Sequence, residues 1–532
     1  MAFVAHLPHL PHVRTAVQAP RVSTRFVPAA TLVVFLAWFV TVPGADRAWL
    51  DIGIEATYLA AIALGVNMLA GYTGLLSLGH AGFFVAGGYM GAVWVPAWGM
   101  SPWLGLPFAF AFGAALGGVL AVLCCHLRGF YLTVVTLAFG SLLPALVFVL
   151  KSSSGGASGR SVESPIEVTA LPFANGDAYR GLYILSSLVL LATLFVCWNL
   201  VRSRWGRASM AIRESEMAAE ASGVATYRHK VSAFALSAGI VALAGVVGAE
   251  RFLLVSPGAG SQEQSFRYVI MIALGGLGTL AGPIIGAFAL TFGFGIDWVQ
   301  THLVNYQTLL FGVLGLVGVA RAPDGTMGNI AKLVETWRAK RPHDVQDHAV
   351  ADAVMPDFSN NHGDAAALEL SGITKRFGGL VALDNVDLVV APGTVHGLIG
   401  PNGSGKTTLL NLVSGASAPS GGRLKIGGRD GGQASAHHRA ALGVARTFQN
   451  LHLWRKMTVR ENVLVGCHRS LPANMAQQAL GTPKARRVET DARAYADGLL
   501  ALVGLGGRGD EKAGALAFAE QRRQAVLEIQ LH

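Results

Sequence analysis

Charged residues and cysteines are both scarce in this sequence of 532 residues. Only 14% of the residues are charged, 52% are apolar, and the mean hydropathy is +0.47. So little charge excludes an ordinary soluble enzyme and a disordered chain, and it indicates membrane spans. The chain has four cysteines, two of them adjacent at Cys124 and Cys125, and none at the spacing of metal ligands. This pattern excludes a secreted disulfide scaffold and predicts buried thiols.

The charged residues that do occur are concentrated toward the C-terminal end. Residues 1–330 contain 30 of the 72 charged side chains, and the shorter stretch 331–532 contains the other 42. We therefore predict a polytopic α-helical membrane domain of about 8–10 spans, in contact with membrane lipid, followed by a soluble domain. The net charge of +10 does not require nucleic acid as a partner, because cytoplasmic loops of membrane proteins carry an excess of Lys and Arg.

Ten apolar runs are candidates for these spans. No small-residue cleavage site follows the first run, at 27–43, which favours a membrane span behind a cytoplasmic tail of residues 1–26 over a signal peptide. The other runs lie at about 53–70, 80–98, 104–125, 130–150, 182–201, 231–249, 268–282, 283–296 and 306–320. The pair at 268–282 and 283–296 is short and broken by Gly and Pro. Its members are either half-helices that line a path or closely packed full helices.

The segment 202–230 orients the predicted membrane domain. It is rich in basic residues, namely Arg202, Arg204, Arg207, Arg213, Arg228 and Lys230. The positive-inside rule therefore places it in the cytoplasm, together with both ends of the chain. Residues 209–223 are strong helix formers up to Gly223. We predict a short polar helix that either docks a soluble partner or is a solvated connector.

Four stretches of the membrane part resemble the permeases of branched-chain amino acid ABC importers, and the M-type permease more than its H-type partner. They are Gly71–Phe84, Arg128–Leu132, Trp205–Ala221 and Leu274–Gly278. The resemblance implies that 205–223 forms the cytoplasmic helix that contacts an ATPase. It also implies a multi-pass protein of the bacterial inner membrane whose partners are a second permease subunit, a second ABC ATPase subunit and an extracytoplasmic solute-binding protein. The solute stays open among branched-chain amino acids, urea and short amides.

A polar linker at 323–366 separates the predicted membrane domain, at 27–322, from a soluble domain at 367–532. In the soluble domain, Val395–Ile399 is predicted to form a strand and Thr408–Val413 a helix. Between them lies the Gly-x-x-x-x-Gly-Lys-Thr motif of a phosphate-binding loop. Its candidate nucleotide-binding residues are Gly400, Asn402, Gly403, Ser404, Gly405, Lys406, Thr407 and Thr408.

The residue types of this loop predict its cofactors. Glycines allow backbone N–H groups to turn toward phosphate oxygens, and the N-terminus of the following helix adds a positive dipole. Lys406 is expected to reach the β- and γ-phosphates, and the hydroxyl of Thr407 is expected to bind Mg²⁺. We therefore predict ATP and Mg²⁺ as cofactors.

The soluble part resembles the α/β P-loop nucleotide-binding domain of ABC transporters over residues 368–523. Lys375–Gly379 lies where that family places an aromatic residue on adenine, which implies this role for Phe377; a packing role at the sheet edge is the alternative. Val444–Asn450 matches the family's Q-loop. The resemblance implies that Gln449 contacts Mg²⁺ or the attacking water, and it makes Gln449 the catalytic candidate.

The catalytic groups implied by the resemblance are incomplete. Relatives carry a Leu-Ser-x-Gly signature, and here Ala517 and Ala519 stand in place of the serine and the glycine. After Gln521 we find neither the apolar strand that ends in Asp-Glu (Walker B) nor a switch histidine. We therefore expect an ABC domain that lacks its C-terminal part, through a natural short end, a frameshift or a fragment. Loss of the metal ligand and general base is expected to leave nucleotide binding with little turnover.

Two functions are consistent with these patterns. The first is a permease/ATP-binding subunit of an ABC importer for branched-chain amino acids or related small polar solutes. The second is a catalytically silent permease scaffold whose soluble part binds nucleotide and relies on partner ATPases. A membrane-anchored phosphotransferase is a third interpretation, but residues 410–532 contain no motif for an acceptor substrate.

Overall fold

The computed structural model describes residues 46–127, 129–295, 366–446 and 453–521, with individual residues between 306 and 329 and residues 523 and 524. The predicted tail at 1–26, the first predicted span at 27–43 and residues 330–365 of the predicted linker lie outside the described residues. So do Gln449 and most of the last apolar run, at 306–320.

Apolar helices dominate the N-terminal part of the described structure. Five of them are long and apolar enough to cross a membrane: Arg47–Tyr72, Pro102–Cys124, Phe130–Val149, Ala178–Val201 and Thr226–Phe252. In chain order the described α-helices of six or more residues are α1 (Arg47–Asn67), α2 (His80–Gly88), α3 (Gly105–Cys124), α4 (Phe130–Val149), α5 (Ala178–Val201), α6 (Arg204–Glu214), α7 (Glu216–Ala221), α8 (Thr226–Phe252), α9 (Gln262–Gly275) and α10 (Ala281–Gly295). The π-helical turns Met68–Tyr72 and Tyr89–Trp94 extend α1 and α2.

Helix α8 forms the centre of this part and packs against α1, α2, α3 and α5. Small residues bring the helix backbones together. A methyl group on Gly117 of α3 would lie 2.4 Å from the Cβ atom of Ala238, and one on Gly87 of α2 would lie 2.0 Å from the carbonyl oxygen of Ala242. Such close approach is the usual source of stability between helices in lipid, where no hydrophobic force draws them together.

The two short, Gly-rich runs form α9 and α10, which have 14 and 15 residues. At about 1.5 Å per residue each is shorter than a hydrocarbon core of about 30 Å. They are also closely packed, because a methyl group on Gly286 would lie 2.0 Å from the carbonyl oxygen of Met271. Their connecting loop meets the end of α1: the Asn67 side chain donates to the carbonyl of Thr279 at 2.8 Å and accepts from the N–H of Gly278 at 2.9 Å. The pair therefore combines features of both alternatives, short length and close packing.

Connections distinguish two sides of the membrane part. On one side, β1 (Arg160–Ser161) pairs antiparallel with β2 (Leu254–Val255), which joins the loop after α4 to the segment after α8. Helices α6 and α7 lie at the other end of α8 and connect it to α5. We call these the β1 side and the α6 side.

The C-terminal part contains a four-stranded antiparallel sheet in the order β4-β3-β5-β6. Its strands are β3 (Leu368–Phe377), β4 (Leu380–Val390), β5 (Gly421–Ile426) and β6 (Arg429–Asp430). Helix α11 (Lys406–Val413) packs on this sheet through Leu409 and Leu412. The remaining helices are α12 (Ala436–Ala441), α13 (Val459–Gly466), α14 (Met475–Ala479) and α15 (Pro483–Leu502), and α13 and α15 share a separate apolar core.

The predicted strand at Val395–Ile399 is wrong, because the structure has no strand there. Val395 and Ile399 are 103% and 92% exposed. A strand is stable only when neighbours pair its backbone and cover its apolar side chains. No strand among the described residues pairs with this segment.

Candidate nucleotide site and its contact with the membrane part

Three glycines shape the loop that precedes α11. Gly400, Gly403 and Gly405 have φ angles of 155°, 87° and 86°, in a region that residues with a Cβ atom rarely adopt. A methyl group on Gly405 would also lie 2.7 Å from Cδ2 of Leu383 and 2.8 Å from the carbonyl oxygen of Ala382. The backbone curls closely against β4 because glycines occupy these positions.

The ammonium group of Lys406 lies within this curl. It donates to the carbonyl oxygens of Gly400 and Pro401, each at 2.7 Å, and to Oγ of Ser404 at 3.4 Å. The first N–H groups of a helix have no partner within the helix and favour anions. The lysine and the start of α11 therefore place positive charge and hydrogen-bond donors at the mouth of one loop.

The other candidate residues of the loop are accessible. Asn402 and Thr407 are exposed, and Thr408 is half-buried. Leu409 and Leu412 are buried against the sheet and hold α11 in place. The helix is thus anchored by its apolar face while its N-terminus is open to solvent, which is the arrangement that a nucleotide phosphate requires.

Phe377 lies at the end of β3, and 52% of its surface is exposed. The Lys375 ammonium lies 5.0 Å from the centre of its ring. An exposed ring offers a face on which a base can stack. The role of Phe377 on adenine stays a prediction.

Gln449 lies outside the described residues, but the segment that leads to it is anchored on α11. Arg446 donates to Oδ1 of Asn411 and to Oγ of Ser414, each at 2.7 Å. Arg446 lies three residues before Gln449, and its contacts connect the predicted Q-loop to the helix that follows the phosphate loop.

The segment that replaces the signature motif pairs with a carboxylate of its own chain. Glu520 accepts a hydrogen bond from the N–H of Ala517 at 3.0 Å and one from Arg508 at 2.6 Å. The bond from Ala517, and then the charge of Arg508, lower the pKa of Glu520. The backbone of Ala517 is therefore already paired, and its side chain lacks the hydroxyl that the resemblance associates with phosphate binding.

Helix α6 packs against the C-terminal part of the same chain through Trp454. This tryptophan is only 1% exposed, and its Nε1–H donates to the carbonyl of Ala211 at 3.1 Å. It shares an apolar core with residues from α6, α7, α13 and the segments beside them: Ala208, Ala211, Ile212, Ala218, Ala219, Val224, Met457 and Val465. Asn462 exchanges two hydrogen bonds with the backbone of Trp454, at 2.9 and 3.1 Å. Residues 209–223 are therefore not a solvated connector: they pack on the C-terminal part of the same chain, and as two helices separated at Ser215.

Polar contacts surround this apolar core. Arg207, whose side chain is 3% exposed, donates to both carboxylate oxygens of Glu489, at 2.5 and 3.0 Å. The side-chain oxygen of Gln478 accepts from the hydroxyl of Ser203 at 2.8 Å and from the N–H of Trp205 at 3.2 Å. The start of α6 is therefore fixed by α14 and α15.

A neutral histidine lies beside the arginines of α6. Arg204 donates to the carbonyl oxygens of His468, at 3.3 Å, and of Leu471. Burial of the half-buried His468 imidazole, reinforced by Arg204, His229 and Arg207, lowers its pKa to about 3. The imidazole therefore adds no further positive charge to this contact near neutral pH.

Adjacent residues at the end of α6 contact the two parts of the chain. Arg213 donates to the carbonyl of Gly71, at the end of the π-helical turn after α1. Glu214 accepts from the N–H of Lys456 at 3.1 Å. Sequence reasoning did not single out Trp454, because it lies 243 positions from its partner in α6.

The fold and the site together define a helical permease joined in one chain to an ATP-binding domain with a phosphate loop. Residues 49–317 match the family described as "Branched-chain amino acid transport system / permease component", and residues 383–531 match the family described as "ABC transporter". The chain belongs to the branched-chain amino acid transport permease family and carries an ABC-type ATP-binding domain after the permease domain.

Different relatives match the C-terminal part and the N-terminal part. The C-terminal part is 44% identical over 159 residues to the high-affinity branched-chain amino acid transport ATP-binding protein BraF of Pseudomonas aeruginosa, covering 30% of this chain and 62% of that protein. The N-terminal part is 28% identical over 344 residues to the high-affinity branched-chain amino acid transport system permease protein LivM of Salmonella typhimurium, covering 61% of this chain and 80% of that protein.

Among solved structures, a nucleotide-free ATP-binding cassette from an ABC transporter is 28% identical, with a TM-score of 0.25, covering 31% of this chain and 65% of that chain. The chain thus spans less than two thirds of the length of these ATP-binding relatives.

Proposed function

We propose that this chain is the permease/ATP-binding subunit of an importer that moves branched-chain amino acids or related small polar solutes across the inner membrane. Family membership and the names of relatives in both parts support this substrate class. The observation that carries the proposal is the buried contact of Trp454 with α6, because it joins a phosphate-loop domain to a helix that is bonded to the membrane core.

ATP and Mg²⁺ are the proposed cofactors, and the residues present fit them. The curled glycine backbone and the Lys406 ammonium suit phosphate oxygens, and the Thr407 hydroxyl is accessible to a metal ion. When bound, Mg²⁺ would neutralise charge on the phosphates. Lys406 would then exchange its carbonyl partners for phosphate oxygens. Phe377 on adenine and Gln449 near the metal complete the proposed site.

The proposed assembly contains a second permease subunit, a second ABC ATPase subunit and an extracytoplasmic solute-binding protein. In it, the tail 1–26, the α6 side and the ATP-binding domain are cytoplasmic, and the β1 side faces the binding protein. The proposed domain limits are 27–322 for the permease, 323–366 for the linker and 367–532 for the partial ATP-binding domain. Nucleotide-dependent movement of the ATP-binding domain would be passed to α1 through Arg213 of α6.

Reconstitution tests this proposal. The chain is co-expressed with its three partners, placed in liposomes, and assayed for ATP-dependent uptake of leucine and of urea. We expect uptake of leucine that the Lys406→Ala variant reduces. Uptake of urea with none of leucine would contradict the proposed substrate class.

The Ala517 and Ala519 substitutions favour the silent scaffold as a second candidate. In that case partner ATPases alone drive transport, so Lys406→Ala would leave leucine uptake unchanged. The same assay therefore separates the two functions.

A further inference from the structure

A cavity of about 180 Å³ opens on the β1 side of the membrane part, between α1, α2, α8 and α9. The cavity lies at the opposite end of α8 from α6, and therefore on the other side of the membrane part from the contact with the ATP-binding domain. Three charged residues line it, namely Glu55, Arg251 and Arg267, and they are accompanied by aromatic residues. Charged side chains within membrane helices are costly and usually mark a functional site.

The charges that line this cavity form a continuous network with Asp51, which lies outside the lining. Glu55 accepts from Arg251 at 2.9 Å with one carboxylate oxygen and from Arg267 at 2.9 Å with the other. Arg251 also forms a bidentate pair with Asp51, at 2.6 and 2.7 Å. The two guanidinium groups and two carboxylates have a formal charge of zero. A ligand that is itself neutral overall but carries both charges would keep this balance.

The members of the network differ in exposure, and the difference identifies an exchangeable partner. The side chain of Arg251 is 9% exposed, whereas that of Asp51 is 38% exposed. The planar fork of arginine matches a carboxylate with two parallel hydrogen bonds. A ligand carboxylate can therefore replace the outer Asp51 on the inner Arg251 without leaving either guanidinium unpaired.

The remaining wall is suited to an apolar side chain. Tyr58 and Tyr268 line the cavity and are 6% and 2% exposed. Phe84 lies against Tyr58, with ring centres 6.0 Å apart. Rigid aromatic walls with a few placed charges are typical of small-molecule sites.

We infer that this cavity binds the zwitterion of a free apolar amino acid on the β1 side. The ligand carboxylate pairs with Arg251 in place of Asp51, the ligand ammonium pairs with Glu55, and the ligand side chain packs against Tyr58, Phe84 and Tyr268. The inference rests on the proposed function and adds to it a site and a basis of recognition.

Ligand binding to the full chain in nanodiscs tests this inference. Three probes are titrated: leucine, leucinamide (no carboxylate) and isocaproate (no ammonium). The variants are Glu55→Gln, which removes the partner of the ammonium, and Asp51→Asn, which removes the competing carboxylate. The matched control is Arg160→Gln, which breaks an ion pair between half-buried Arg160 and exposed Glu163 on the same side. Thermal unfolding of each variant monitors folding.

The expected affinities depend on which charged groups the ligand carries. The affinity for leucine should be higher than that for either analogue by about tenfold or more. Glu55→Gln should lower the affinity for leucine by about tenfold and should not weaken the binding of isocaproate, since loss of a negative charge beside Arg251 favours a bound carboxylate. Asp51→Asn should raise the affinity for leucine. Arg160→Gln should change neither.

Two results would overturn the inference. One is equal binding of leucine and leucinamide to the unmodified chain, and the other is equal loss of leucine and isocaproate binding in Glu55→Gln, which a purely structural role predicts. Leucine uptake in the reconstituted importer separates this failure from that of the proposed function. Uptake with unchanged KM in Glu55→Gln rejects the site alone, and no uptake by the unmodified importer rejects the function.

Discussion

The indole of Trp454 donates a 3.1 Å hydrogen bond to the carbonyl oxygen of Ala211, across 243 positions of the chain. The ring is buried among residues of α6, α7 and α13. This side chain is therefore the centre of the apolar contact between the ATP-binding domain and α6. Substitutions at this contact can therefore test how the two domains act on each other.

Truncation of Trp454 should separate nucleotide binding from transport. Trp454→Ala removes a buried ring, a change that costs about 3 to 5 kcal/mol in a packed core. We expect leucine uptake to fall by about tenfold or more, while the affinity for ATP in a nucleotide titration is unchanged. Trp98→Ala is the control, since Trp98 is 57% exposed. Parallel loss of ATP binding and uptake would show that Trp454 only holds the ATP-binding domain together.

The pair of Arg207 and Glu489 should contribute to the stability of the interface. Arg207→Ala leaves Glu489 without its buried partner, so we expect a loss of about 3 kcal/mol in the free energy of unfolding. Arg493 offers a control on the same carboxylate, because it contacts Glu489 at 3.0 Å and is 39% exposed. Arg493→Ala should cost about 0.5 kcal/mol. Equal effects of the two variants in thermal unfolding would contradict a special role for Arg207.

Acid should weaken the contact around His468. Its pKa is lowered to about 3 in the folded chain, below an ordinary value of about 6.5. The unfolded chain therefore binds a proton that the folded chain does not, and stability present above pH 6.5 is lost as the pH falls toward 3. Unfolding temperatures measured from neutral pH down to about pH 5 should decrease less in His468→Gln than in the unmodified chain. Identical pH profiles would exclude this histidine as the cause.

Lys406 should be required for tight nucleotide binding. Replacing it with alanine removes the ammonium group at the mouth of the loop, so we expect the affinity for ATP to fall by about tenfold or more. Lys425→Ala is a suitable comparison, because Lys425 is a half-buried lysine of the same domain, outside the loop, and is paired with Glu369 at 3.3 Å. Fluorescent ATP analogues measure both. Binding that Lys406→Ala leaves intact would mean that nucleotide is held elsewhere.

Local patterns in the sequence predicted the elements that depend on neighbouring residues. The glycine loop and the helix after it follow from residue types at fixed spacing, and so does the polar helix predicted at 209–223, which the structure has as α6 and α7. The strand at Val395–Ile399 failed because a strand depends on distant pairing partners, which are not among the described residues. Trp454, Glu489 and the network of Asp51 with Arg251 were not predicted for the same reason: their partners are distant in the chain.

The placement of α6 and Trp454 in one polypeptide also changes how this contact responds to damage. A separate ATPase subunit that lost its docking residues would diffuse away, whereas here the chain itself keeps the two surfaces at an effective concentration on the order of millimolar. Substitutions that would dissociate a separate ATP-binding subunit should instead loosen this contact, while the ratio of one ATP-binding domain to each permease domain in the chain is preserved.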